Sequence, residues 1–136
     1  MKAVFDTNIF VSTLMFPGGR AEVALMKVID GDVDLLISKS IIHEVLGVLS
    51  HKFDRDSEEL ARVAVFLADL GTVVQPRRKL AVLRDEPDNR ILECAVAGRA
   101  DVVVTGDQAI LTLGQYENVT IVTLKDFLAD ELKRED

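Results

Sequence analysis

The sequence has no tryptophan, two histidines, three prolines and a single cysteine, and aromatic residues make up only 5% of it. One cysteine excludes an intrachain disulfide, and thiol-poor chains of this kind suit a reducing, cytoplasmic compartment. Cys94 stands in an apolar helical stretch, where a thiol packs as a small buried side chain. His43 and His51 with one distant cysteine do not make a zinc centre. His43 precedes Glu44 but is not in an HExxH arrangement, so it reads as a surface residue. Base is also in short supply: 16 Lys and Arg face 23 Asp and Glu, a net charge of −7. That balance argues against a non-specific nucleic-acid binder, which carries an excess of base. It leaves open an enzyme acting on phosphodiesters, because net charge says nothing about local clustering. No apolar run is long enough to span a membrane. The apolar N-terminal stretch is broken by Asp6, which is not a signal-peptide layout, so no leader is expected.

What remains is aliphatic. Residues of apolar type form 49% of a 136-residue chain, and with aromatics scarce the interior must be Val, Leu, Ile and Ala. This is the composition of packed helices and buried strands, and the length suits one domain spanning residues 1–136 around one core. Short strands are expected at Val4-Phe5, Val33–Ile37, Thr72–Val74, Val102–Val104 and Val119–Val122. Helices are expected between them: Ile9–Phe16, stopped by Pro17-Gly18-Gly19; Arg20–Ile29; from Ser38 or Ser40 to His51; from the cap Asp56 to Leu70; from Asp88 or Asn89 to Ala97; Ala109–Leu113; and Leu124–Leu132. Residues 80–87 read as a turn-rich connection. Strands that alternate with helices imply an α/β architecture, a largely parallel sheet between helical layers.

In such a sheet, ligands sit beyond the carboxyl ends of the strands. Four acids map to that edge. Asp6 follows the first strand directly, and Asp107 follows the Val102 strand after Thr105-Gly106. Glu44 lies a little over one turn into the helix that leaves the second strand. Asp88 lies at the start of the helix feeding the Val102 strand, and the connection before it is long enough to bring the chain back to that edge. Each has an ordinary explanation: a solvated helical Glu, an N-cap, two turn residues. Their convergence has a chemical consequence. Gathered carboxylates repel and raise one another's pKa, so the cluster stays ionised only beside cations. All-oxygen ligands select hard divalent ions, Mg²⁺ or Mn²⁺.

Val4-Phe5-Asp6-Thr7-Asn8, Ser38 through Glu44, Asp85-Glu86-Pro87-Asp88-Asn89 and Thr105-Gly106-Asp107, in this order and at these separations, resemble the PIN domain. The Pro17-Gly18-Gly19 break and the Leu46–Phe53 stretch are similar to its toxin-type, VapC-like subgroup in prokaryotic toxin–antitoxin systems. The resemblance spans nearly the whole chain. It implies a three-layer α/β/α fold and Mg²⁺- or Mn²⁺-dependent ribonuclease activity on RNA. It implies Asp6, Glu44, Asp88 and Asp107 as the metal-binding, catalytic acids. Asn8 and Thr105 match positions that hydrogen-bond those acids and orient them. It also implies a homodimer and a small antitoxin partner. Many relatives carry a further Asp two residues after the one matching Asp107, where this chain has Ala109; that absence bears on a second metal position and not on the first.

The expected chemistry has Asp6, Asp88 and Asp107 holding one Mg²⁺, with Glu44 a ligand or the group that orients the attacking water. Arg20, Lys39, Arg77, Arg78, Arg84 and Arg90 are candidates to guide RNA towards this acidic edge, although Arg77-Arg78-Lys79 reads most simply as a solvated run. A signalling receiver wants an acidic pair after the first strand, and a haloacid-dehalogenase-type phosphatase wants a second Asp where Asn8 stands. The rival that stays open is a catalytically inert PIN-like module that binds RNA or protein.

Overall fold

The computed structural model describes residues 1–135, with side chains described through residue 129. The described residues form β1 (Lys2–Phe5), α1 (Thr7–Met15), α2 (Arg20–Ile29), β2 (Asp34–Ile37), α3 (Lys39–Phe53), α4 (Ser57–Leu70), β3 (Thr72–Val73), α5 (Glu86–Gly98), β4 (Val102–Val104), α6 (Gln108–Leu113), β5 (Gln115–Tyr116), β6 (Val119–Val122) and α7 (Leu124–Glu135). The strands make one sheet in the order β3-β2-β1-β4-β6-β5, parallel except for the β5–β6 pair. This is the expected α/β architecture. Strands β1 and β4 are apolar on both faces because helices cover both: Ala3, Val4, Phe5, Val103 and Val104 are all fully buried.

From β1 the chain winds outward through β2 to β3. It then returns through α5 to β4, on the other side of β1, and winds the opposite way. Crossovers of this kind are right-handed, so reversing the direction of winding moves the connecting helix to the opposite face of the sheet. The reversal also opens a crevice at the carboxyl ends of β1 and β4, the place where open α/β sheets bind ligands. Phe5 anchors the centre. Its ring meets Phe10 of α1 at 5.9 Å and Phe127 of α7 edge-on at 5.7 Å, tying both helices to the middle strand.

Helix boundaries follow local chemistry. Asp56 caps α4 by accepting from the Glu59 amide at 2.9 Å, and Ser38 caps α3 by accepting from the Ile41 amide at 3.2 Å. Helix α5 departs from expectation. It begins at Glu86, not at Asp88 or Asn89, with Asp85 in the cap position and Pro87 in the first turn. Pro87 reads as a turn residue in sequence, but a helix's first turn leaves its N–H groups unbonded and tolerates proline there. Asp88 therefore sits inside the first turn and is no cap. Two-residue β5 has no room for an alternating pattern and is absent from the sequence reading; it pairs antiparallel with β6 around Glu117-Asn118, with Glu117 at φ 52°. Among the described residues, no single helix is long and apolar enough to cross a membrane.

Candidate active site

The register of β1 and β4 builds the centre of the site. Phe5 pairs with Val104, so the residues that follow, Asp6 and Thr105, leave the sheet side by side. The Asp6 amide donates to the Val104 carbonyl at 3.0 Å, continuing the ladder. Asp6 is buried. Its Oδ1 accepts from the Asn8 amide at 3.3 Å as the cap of α1, and its Oδ2 accepts from the Thr105 hydroxyl at 2.5 Å. Thr105 is fully buried, and its Oγ1 in turn accepts from the Asp107 amide at 3.0 Å. One hydroxyl thus links the acids of two strands. Asp107 caps α6, with Oδ1 accepting from Ala109 and Ile110 amides at 2.9 and 3.2 Å.

Thr105 therefore holds Asp6 through its side-chain hydroxyl. Asn8 reaches Asp6 through its backbone N–H, while its exposed side chain lines the cleft. Asp6, Asn8, Glu44, Asp88 and Asp107 all border one cleft of about 140 Å³, together with Thr7, Val48, Lys52, Pro87 and Ile91. All four sequence-selected acids are thus on one cleft, drawn from the ends of β1 and β4 and from α3 and α5.

Asp88 is the informative member. Its Oδ2 is buried and has no hydrogen-bond partner. Burial pushes its carboxyl up to about 6, and the charges of Asp107, Asp6, Asp85 and Glu44 push in the same direction. A buried carboxylate oxygen without a donor is costly unless a cation faces it. The surrounding donor set is entirely oxygen, which fits a hard divalent ion. Among the described residues, no three His, Cys, Asp or Glu side chains stand close enough to form a ready coordination sphere. Mg²⁺ does not require one, since it keeps several waters and takes one or two carboxylates directly.

Asp88 is held from beneath. The next residue, Asn89, is buried; its Nδ2 donates to the Leu83 and Asp85 carbonyls at 2.9 and 3.3 Å, and its Oδ1 accepts from the Leu83 amide at 2.8 Å. Glu93, one turn further, is also buried; it accepts from the Leu80 amide at 2.8 Å and pairs with Arg90 at 3.1 Å. These side chains clamp the irregular 80–85 segment against α5 and fix where α5 starts. The sequence marks Asn89 as a helix start and as part of the Asp85–Asn89 stretch, and does not mark Glu93. The available signal was a buried-face position for each polar residue in an otherwise apolar helix.

The basic candidates mostly go elsewhere. Arg78 pairs with Glu117 at 3.0 Å, which raises its already high pKa, and Arg77 and Arg78 line a separate cavity with Leu80 and Glu93. Arg90 is engaged with Glu93 and the Leu80 carbonyl. Lys39 borders a hollow at the ends of β2 and β3, and Arg20 and Arg84 are exposed. Lys52, which the sequence reading did not select, lines the acid cleft itself.

The PIN domain family matches residues 2–109, a span that contains all four acids. An uncharacterised protein of Methanocaldococcus jannaschii is 25% identical over 132 residues, covering 92% of this chain and 84% of that protein. The structure of VapBC2 from Rickettsia felis, bound to a DNA fragment from its promoter, matches with a TM-score of 0.65 at 16% identity, over 90% of this chain and 98% of that one. VapBC-1 from nontypeable Haemophilus influenzae matches with a TM-score of 0.64 at 14% identity, over 92% of this chain and 99% of that one. At such identities the two structures speak for the fold.

Proposed function

This chain belongs to the PIN domain family, and from that membership we propose that it is a divalent-metal-dependent endoribonuclease, the toxin of a toxin–antitoxin pair. The observation that carries the proposal is the unpartnered, buried Oδ2 of Asp88 in a cleft shared with Asp6, Glu44 and Asp107. Asp6, Asp88 and Asp107 would hold Mg²⁺ or Mn²⁺. When bound, the ion supplies Lewis-acid stabilisation of phosphoryl charge and lowers the pKa of water. The chain's own part is positioning. Thr105 and the Asn8 amide hold both oxygens of Asp6, so its carboxylate cannot rotate away from the cleft. The two amides on Asp107 Oδ1 fix that residue's second oxygen in the same way. Glu44, half-buried on α3 and bordering the same cleft, would accept a proton from a water attacking the phosphorus or orient it.

The VapBC likeness supports a small antitoxin as partner. So does the surface of α2, which leaves Val23, Met26 and Ile29 exposed on one side, with Phe16 exposed just before it. A homodimer is proposed on the resemblance alone.

Asp6→Asn preserves shape and removes charge. In Mg²⁺ it is expected to lose RNA cleavage by more than the roughly 10- to 100-fold that loss of an orienting partner costs. A variant that cleaves as the parent does would overturn the mechanism. Titration calorimetry with Mn²⁺ separates the rival: no heat of binding, or binding indifferent to Asp6→Asn, favours the inert module.

A further inference from the structure

Among the described residues, the acid cleft has one cation in its lining, Lys52. We infer that Lys52 binds a backbone phosphate of the RNA strand held in the cleft, beside the bond that is cut; this rests on the nuclease reading above. Glu44, Val48 and Lys52 recur at intervals of four along α3 and all line the cleft, so one stripe of the helix faces it. Eight residues separate Glu44 from Lys52, roughly 12 Å along the helix axis. Val48 lies between them as an apolar spacer. Lys52 is exposed, and among the described residues no ion pair binds its ammonium, whereas Arg55, Arg78 and Arg90 each have a carboxylate partner. Its charge is therefore not spent on the neighbouring acids.

An RNA strand entering this cleft meets repulsion from four carboxylates. A divalent ion held by Asp6, Asp88 and Asp107 would offset that repulsion. A second phosphate, displaced along α3, has Lys52 as the cleft's own cation to meet it. The simpler role for Lys52 is as a cation in the last turn of α3, favourable to the helix dipole. The two roles differ in what salt does to RNA binding. A phosphate contact releases counterions and adds to the salt dependence, and a dipole contact does not.

The test compares the parent with Lys52→Met, which keeps the aliphatic stem, with Lys52→Arg, which keeps the charge, and with Arg62→Met on exposed α4 as a charge control. Cleavage of a single-stranded RNA in Mn²⁺ is measured over a range of salt concentrations. Equilibrium binding of the same RNA is followed by fluorescence anisotropy. Lys52→Met is expected to raise KM and Kd about 3- to 10-fold for every sequence tried. It should also make the log–log salt slope shallower by about 0.7. The effect on kcat should stay small, Lys52→Arg should restore KM, and Arg62→Met should match the parent. Lys52→Met with the parent's Kd and salt slope overturns the inference. If the parent binds RNA but does not cleave it, the nuclease reading fails while the anisotropy result still decides the role of Lys52.

Discussion

Asp6 serves the fold and the site with the same two oxygens. One caps α1 and the other holds Thr105, so the carboxylate is already fixed before any ligand arrives. Asp88 is the opposite case, a partly buried acid with one oxygen left without a donor. Its pKa lies near 6 in the folded chain against an ordinary 3.8, so the folded state holds its proton more tightly than the unfolded state does. The stability from that tighter hold is complete below about pH 4 and is lost as pH rises through about 6. In a chelator, the parent's melting temperature should therefore fall across this window. Asp88→Asn cannot ionise and should show a shallower fall, with the variant more stable than the parent near pH 7 and close to it near pH 4. Parallel melting curves for the two proteins would show that Asp88 carries no repulsion. Asp6 and Asp107 were legible in the sequence because Asp6 breaks directly out of an apolar strand and Asp107 follows another after only Thr105-Gly106. Lys52 was not selected because charge alone does not mark it; its spacing of eight from Glu44 on one helix does.

Helix α5 carries Asp88, and its position depends on a clamp below the acid. Asn89 makes three hydrogen bonds to the 83–85 backbone, and Glu93 takes the Leu80 amide. Removing the Asn89 side chain leaves the Leu83 amide without its acceptor in a part-buried place. Asn89→Ala should destabilise the protein by about 1–3 kcal/mol. Because the clamp holds the 80–85 segment, limited proteolysis should cut there first, and Mn²⁺ affinity should fall although no proposed ligand has changed. Unaltered proteolysis and unaltered affinity would mean that α5 is placed by core packing alone. Elements with a strong cap, such as α3 and α4, were legible to within a residue or two. The start of α5 was misread because proline signals both a turn and a first helical turn. A different close approach explains Gly71: a Cβ there would lie 2.7 Å from the Leu35 carbonyl oxygen, so α4 can end against β2 only with glycine.

At the scale of the whole molecule, strand–helix alternation announced a parallel sheet. The order β3-β2-β1-β4-β6-β5 did not follow from any local pattern, because it is set by which apolar faces pack once the chain collapses. The core and the cleft meet in α5, which carries Asp88 at its start and Cys94 near its middle. Cys94 is fully buried, and burial raises its thiol to about 12, the hydrogen bond from Ser38 offsetting only part of this. In the folded protein it should be inert to a thiol reagent at mildly alkaline pH, so labelling reports opening of the α5 layer. A cation held by the acids binds the closed state and not the open one. At a hundred times its Kd, such an ion adds about 2.7 kcal/mol to the cost of opening. Mn²⁺ should then slow Cys94 labelling by about 100-fold where opening is in rapid equilibrium. Ionic strength matched with a monovalent salt should leave the rate nearly unchanged. Asp6→Asn should lose most of the effect. Labelling of the parent that ignores Mn²⁺ would mean that the acids gather at the sheet's edge without binding the ion, whatever the family does elsewhere.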